Sequence, residues 1–423
     1  MSRLHVAVLD EEFPYPLTSG KRIRSFHLLT RLARRHRITY IAHRNADPDE
    51  LRAGTDALRD RGIAVVPVDY HVPPKAGVAF YGRLVRNLIS PLPYSVATHA
   101  SRAMRHAMDR LAAKDPPDLW HCEWTPYAQA MRRRPGRWVA MAHNFESVIW
   151  QRFTEAERNP ARRWFLRQQW KKFEQFESWA YTAATRTVAV SREDADRIEQ
   201  RFEAGPIDVV ENGVDTAFFT TNGSVTREPH RILFLGSLDW RPNLDAVRLL
   251  LNDIFPRLQA AEPRATLQVV GRKPPQGLRA EIARRPGVEL HADVPDVRPF
   301  LHGAGMLAVP LRIGGGSRLK ILEALATGLP VVTTAVGVEG LRLTAGEHYT
   351  VADGSEPFAA ALRAAMTDPR SAREQAECGR IRVVAEYDWG GLSERLDRVW
   401  REAAATPFSQ AATGPLLPAL ARR

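Results

Sequence analysis

At 423 residues the chain exceeds what one ordinary core organises, so two domains are the first expectation. With 44% hydrophobic and 26% charged residues and no apolar run long enough to span a bilayer, it reads as a soluble globular protein, which excludes a membrane-spanning one. Its formal charge of +12 favours anionic partners such as nucleotide phosphates or lipid headgroups, while nothing reads as a nucleic-acid module.

The opening "MSRLHVAVLDEEF" is a short apolar run followed by acids, unlike a secretory signal. Strand candidates in the first half are residues 4–9, 37–42, 63–68, 118–122, 138–142 and 187–190, alternating with helical patterns as in parallel α/β architecture. After the first comes "PYPLTSGKRIRS" (14–25), a loop entering a helix with Phe26, Leu29 and Ala33 inward. There Gly20 permits close backbone approach and Lys21 and Arg24 bring positive charge, although an ordinary loop before a basic helix reads the same way. "AMAHNFES" (140–147) ends a strand with His143 and Asn144, and Asn144 or Ser147 can cap the helix that follows. Residues 150–181 interleave Trp and Phe with Arg and Lys; this fits an anionic membrane surface, or packing of Trp164, Phe165, Trp170, Phe173 and Phe176 into the domain. Ser191 reads as a helix cap, and Asn212-Gly213 as a turn. Cys122 and Cys378 have no companions, so neither a disulfide framework nor a zinc knuckle is available, which fits a reducing cytoplasm.

Residues 215–230 are polar and turn-rich and read as a linker. Beyond it the strand candidates are 231–236, 266–271, 288–292, 306–311 and 330–334. The expected architecture is α/β, two Rossmann-like doubly wound domains in series facing a cleft: 1–214, a linker at 215–230, and 231–405 with its last helix able to cross back. Residues 406–423 read as a frayed tail. In "RIGGGSRLKILEALATGLPVV" (312–332) a glycine turn leads to a helix starting at Arg318 and capped by Ser317, with Gly328 stopping it. Leu319, Leu322, Glu323 and Ala326 share one helix face, so Glu323 is a carboxylate on an apolar face that needs donors. Close backbone approach at Gly314, Gly315 and Gly316, a helix N-terminus, and the cations Arg318 and Lys320 together suit an anion. A glycine turn with a glutamate snorkelling at a domain edge is the alternative.

This passage resembles the donor-site segment of retaining GT-B glycosyltransferases, particularly glycosyltransferase family 4, whose pattern ends in "EA-A-G-PVV"; "EALATGLPVV" (323–332) is close to it. The resemblance implies that Glu323 binds the nucleotide ribose, and that backbone amides of Gly314–Ser317 face the transferred sugar and diphosphate. A first glutamate usual in the family would fall at Gly315 and is absent, which leaves Arg318 and Lys320 as diphosphate cations. By the same resemblance the 14–25 loop lies beside donor phosphates and acceptor, and His143 faces the sugar. Asn144 and Glu146 then belong to the acceptor side. "VVENGVDTAFF" (209–219) is similar to the segment leading to the family's interdomain linker. "LFLGSLDWRPNLDA" (233–246) resembles the first strand and phosphate turn of the donor domain, with Gly236 in the turn. Ser237 and Pro242 stand where relatives carry Arg and Lys, so Arg241 is a substitute cation. Gly271 and Val294 fall where the base is held.

The implied reaction moves a sugar, with retention, from a nucleotide-diphosphate sugar to a hydroxyl of a glycan, lipid-linked or small-molecule acceptor. It needs no cofactor and no metal, the leaving charge being met by amides and cations. Two Asp-x-Asp tripeptides, at 47–49 and 194–196, read as a turn and a helix face. A nucleotide-sugar epimerase or hydrolase of the same fold and a non-catalytic nucleotide-sugar-binding protein are the competing readings. The protein is expected in the cytoplasm, with the inner membrane face as a peripheral location through 150–181.

Overall fold

The computed structural model describes residues 2–45, 47–132, 134–313 and 318–407. They divide into two compact units, one of residues 1–211 together with 393 onward, the other of 212–392. Each is built on a wholly parallel sheet.

In the first unit seven strands run in the order β3-β2-β1-β4-β5-β6-β7. They are β1 (His5–Asp10), β2 (Arg37–His43), β3 (Ala64–Val68), β4 (Leu119–Cys122), β5 (Trp138–Ala142), β6 (Arg186–Ala189) and β7 (Asp208–Val209). Strands β1, β4 and β5 are buried at every residue, as a sheet covered on both faces requires. The order reverses between β1 and β4, where Val8 pairs with His121. The helix Gly20–Leu32 is capped by Ser19, whose hydroxyl accepts from the Arg22 N–H, and it buries Phe26, Leu29 and Leu32. The last helix, Trp389–Ala405, contributes its residues from Ser393 to this unit. There Asp397 accepts from buried His36 at 2.6 Å, Arg395 pairs with Glu211 at 2.6 Å, and Trp400 is fully buried.

The second unit carries six strands in the order β10-β9-β8-β11-β12-β13. They are β8 (Glu228–Leu235), β9 (Thr266–Gly271), β10 (Val288–Ala292), β11 (Ala304–Val309), β12 (Val331–Thr333) and β13 (Thr350–Val351). The reversal lies between β8 and β11. Strand β8 starts at Glu228, inside the stretch expected to be linker. Its first residues pair with β11 across a register shift at Gly305, where a Cβ would meet the carbonyls of Glu228 and Pro229 at 2.6 Å. Two strands had no counterpart in the sequence reading, β7 and β13. Both are two residues long and lie at a sheet edge, too short to show a pattern.

Candidate active site

Parallel sheets bind ligands beyond the carboxyl ends of their strands, at the point where strand order reverses. In the second unit that point is occupied by a compact group of residues. Gly236 follows β8 and Gly271 ends β9. A Cβ on Gly271 would lie 2.1 Å from the Gly236 carbonyl, and one on Gly236 would lie 2.8 Å from Lys320 Nζ. The glycines are therefore required by close approach. Asn243, in the first turn of the helix Arg241–Leu249, donates from Nδ2 to the Ser237 carbonyl at 2.8 Å and accepts the Lys320 ammonium at 2.8 Å. The Lys320 ammonium also lies 4.8 Å from the centre of the Phe234 ring.

Lys320 and Glu323 sit one turn apart on the helix Leu319–Ala326, each partly open to solvent yet surrounded by protein. Burial lifts the Glu323 carboxyl to about 7, with Lys320 opposing the shift. Burial, reinforced by Arg318, draws the Lys320 ammonium down to about 7, with Glu323 opposing. The pair is thus poised between charged and neutral forms. An arriving anion favours the charged lysine, and donated hydroxyls favour the ionised glutamate.

The helix begins one residue later than the sequence pattern suggests. Arg318 is at the cap position in the left-handed region (φ 51°), which costs a non-glycine residue ~1–2 kcal/mol. Its guanidinium donates to the Val336 carbonyl at 2.8 Å and lies 3.7 Å from Glu339, and burial lowers its pKa. Gly314, Gly315, Gly316 and Ser317 lie outside the described residues. Arg241 is exposed at the first residue of its helix, and Lys320 Nζ reaches the Gly236 turn. Val294 follows β10 in a loop and packs, half-buried, on the core of this unit.

The equivalent reversal in the first unit gathers strand-end residues of a different kind. Asp10 ends β1, Glu123 follows β4 and His143 follows β5. Glu123 is buried and takes three donors: Ser25 Oγ at 2.7 Å and His143 Nε2 at 3.2 Å on one oxygen, and His121 Nε2 at 2.8 Å on the other. Burial pushes this carboxyl up, but the two imidazoles outweigh it and hold it well below the usual range. Trp400 Nε1 donates to His121 Nδ1 at 3.1 Å. An indole N–H can only donate, so it fixes His121 as the Nε2–H tautomer, assigned from the network. Glu123 therefore accepts an imidazole N–H on each oxygen, and His143 is half-buried with its Nε2 engaged; burial lowers its pKa.

Lys21 is held between Asp10 at 2.5 Å and Glu11 at 2.7 Å, which raise it above its ordinary value although burial works the other way. Burial lifts Asp10 to about 7 against the pull of Lys21. Arg24, expected to bring positive charge to the acceptor side, is fully buried. It donates to the Glu211 carbonyl at 2.6 Å, and burial lowers it to about 10, so it braces the unit from inside. Gly20 opens the helix after the β1 loop. Asn144 is exposed, and Glu146, whose pKa burial raises, accepts from the Trp124 indole at 3.4 Å. Neither Asn144 nor Ser147 caps the helix Glu146–Ala156. Glu177 does so from the helix Pro160–Ala183, taking the N–H groups of Glu146 and Ser147 at 2.8 and 3.0 Å. The Asp-x-Asp pairs are spent locally: Asp47 caps a helix through the Asp49 N–H, and Asp194 and Asp196 pair with Arg197 and Arg192.

Sequence reasoning missed Asn243, Glu123, His121 and Trp400. An asparagine inside a helix turn is a faint signal for the first, since that residue type disfavours helix interiors. The other three are linked only by the fold.

With this geometry in view, known proteins give the chain its class. Among solved structures, sucrose-phosphate synthase from Thermosynechococcus elongatus superposes with a TM-score of 0.70 at 18% identity, covering 95% of this chain and 99% of that one. The HepE protein of Anabaena, in complex with UDP and glucose, gives 0.64 at 14% identity, covering 94% and 100%. Both share the fold: two Rossmann-like parallel α/β units, the GT-B architecture. The family model for glycosyltransferase family 4 matches residues 20–218, and that for glycosyl transferases group 1 matches 229–368. The chain belongs to glycosyltransferase family 4. A glycogen synthase from Mycobacterium tuberculosis is 27% identical over 239 residues, 54% of this chain and 56% of that protein. A D-inositol 3-phosphate glycosyltransferase from Corynebacterium diphtheriae is 24% identical over 250 residues, 53% and 57% of the two. The chain thus spans only about half the length of the curated relatives it matches.

Proposed function

We propose that this protein transfers a sugar, with retention, from a nucleotide-diphosphate sugar to an acceptor hydroxyl. The observation that carries the reading is the poised Lys320–Glu323 pair beside the Gly236 turn at the β8/β11 reversal. Glu323 accepts the two ribose hydroxyls, and Lys320 meets the diphosphate where Gly236 and Gly271 let the backbone come close. Arg318 and the amides of 314–317 add to the field that receives the leaving charge. Gly20 belongs with the donor-binding residues, Lys21, Asn144 and Glu146 belong to the acceptor side, His143 is the sugar-facing residue, and Val294 borders the base.

In the step itself the bond from the anomeric carbon to the diphosphate oxygen breaks, and the departing phosphate oxygen takes the proton of the acceptor hydroxyl. The new glycosidic bond forms on the same face, so no protein nucleophile is required. The UDP and glucose bound by HepE support a uridine donor as the first candidate. Thermal-shift and calorimetric titration with UDP-, GDP-, ADP- and dTDP-glucose tests the reading, and transfer should persist in a chelator. Absence of binding to every nucleotide sugar overturns it. Turnover of the donor with no acceptor present replaces it by an epimerase or hydrolase.

A further inference from the structure

The helix Gly77–Leu88 of the first unit has a broad apolar arc, part of it turned to the protein and the adjoining part to solvent. Phe80, Leu84 and Leu88 are half-buried and Asn87 is buried. Gln169 Nε2 donates to Asn87 Oδ1 at 3.0 Å, and Lys172 Nζ donates to the Asn87 and Leu88 carbonyls at 2.6 and 3.3 Å. These bonds fasten the C-terminal end of the helix to the long helix Pro160–Ala183. Next to this face stand Val78, Tyr81, Val85 and Ile89, respectively 89, 67, 66 and 88% exposed. Their spacing of three, four and four residues puts them in one stripe. Scattered apolar side chains at a surface need no explanation, but a stripe of four along one helix does. An amphipathic helix turns its apolar arc to a core or a membrane and its charges away, and only part of this arc has a core, with Arg83 and Arg86 on the opposite arc.

Charge decides what covers the stripe. From Tyr70 to Met108 the chain has no Asp or Glu, but it carries Lys75, Arg83, Arg86, Arg102 and Arg105. Lys75, three residues before Val78, and Arg86, next to Val85 in sequence, are exposed. On the adjoining long helix Arg162, Arg163, Arg167 and Lys171 are exposed, with no acid between Arg158 and Phe173. Trp164, on the same helix, is also exposed, whereas Phe173 and Phe176 are buried in the core. The aromatic residues of 150–181 are thus divided, and the larger apolar surface is the one on 78–89. Two copies of the chain meeting through this face would oppose cation to cation. A bilayer rich in anionic lipid would complement it. Among the described residues no helix is long and apolar enough to cross a membrane, so the contact would be with the surface of one leaflet.

We infer that the helix Gly77–Leu88 docks in the interface of an anionic membrane, inserting Val78, Tyr81, Val85 and Ile89 while Lys75 and Arg86 meet lipid phosphates. The inference does not depend on the reaction proposed above. The test is co-sedimentation of the full chain with vesicles of phosphatidylcholine alone and of phosphatidylcholine with phosphatidylglycerol. The unaltered protein should bind the anionic vesicles, release as salt is raised, and leave neutral vesicles unbound. The combined variant Val78→Ser, Tyr81→Ser, Val85→Ser and Ile89→Ser should lose about tenfold or more in partition. Its thermal melt and its shift with a nucleotide sugar should match those of the parent, because all four side chains point to solvent. No binding to anionic vesicles, or equal binding by the variant, overturns the inference. So does a lipid-free dimer, seen by light scattering, that the same variant dissociates, since the stripe would then be a contact between copies.

Discussion

Replacing Lys320 by methionine separates what this residue does for the fold from what it does for the ligand. Methionine keeps an unbranched stem against Phe234 and removes only the ammonium, 2.8 Å from Asn243 Oδ1. In the free protein two effects oppose each other. Loss of the hydrogen bond leaves a mostly buried amide oxygen short of a donor, which costs ~1–3 kcal/mol. Against this, the change relieves the desolvation that draws Lys320 down to about 7. The Asn243 bond to the Ser237 carbonyl remains to hold the turn. Net stability should move by no more than ~1 kcal/mol, a shift in Tm of about 2–4 °C for a unit the size of 212–392. Nucleotide-sugar binding has no such compensation. A hydrogen bond from an ammonium to phosphate contributes ~1.5–3 kcal/mol, so Kd should rise about 10- to 150-fold. Isothermal calorimetry with the best donor from the nucleotide screen, alongside thermal melts, reads both quantities. An unchanged Kd in a folded variant would refute the placement of the diphosphate at Lys320.

The same pair makes donor binding pH-dependent with a definite sign. Glu323 must be ionised and Lys320 protonated, and both titrate at about 7, so affinity should peak near neutrality and fall on either side. A flat profile in calorimetry across about pH 5 to 9 would sink this reading. His143→Ala should lower kcat and kcat/KM together while leaving donor Kd in place; undiminished turnover would remove its proposed role. Gly271→Ala places a methyl 2.1 Å from the Gly236 carbonyl and should destabilise the second unit by ~1–3 kcal/mol or more, read by denaturant melts. A melt like that of the parent would show that the turn is not as tight as the structure draws it.

Much of the fold was legible because parallel strands covered on both faces are continuous apolar runs. All eleven strand candidates coincide with strands, and only the short edge strands β7 and β13 escaped. At the site, Glu323, Lys320 and Gly236 were legible as types in a pattern, yet not their mutual distances. Arg24 shows the limit: a cation beside a glycine loop looks like a ligand-binding group, and only the structure shows it buried and donating to the Glu211 carbonyl. The Glu123 network was out of reach for a related reason. Its members come from the helix Gly20–Leu32, β4, the residues just after β4 and β5, and a helix 279 positions beyond His121, so no local pattern unites them.

That last link bears on how the chain folds as it is made. The second unit, 212–392, is one continuous segment and has all its residues as soon as Leu392 leaves the ribosome. The first unit is interrupted. His36, His121 and Glu211 find Asp397, Trp400 and Arg395 only after the whole second unit has been synthesised. An N-terminal fragment ending at Glu211 would leave those partners unmet and expose the bed that Trp400 fills. The half of the chain translated first is therefore the half completed last.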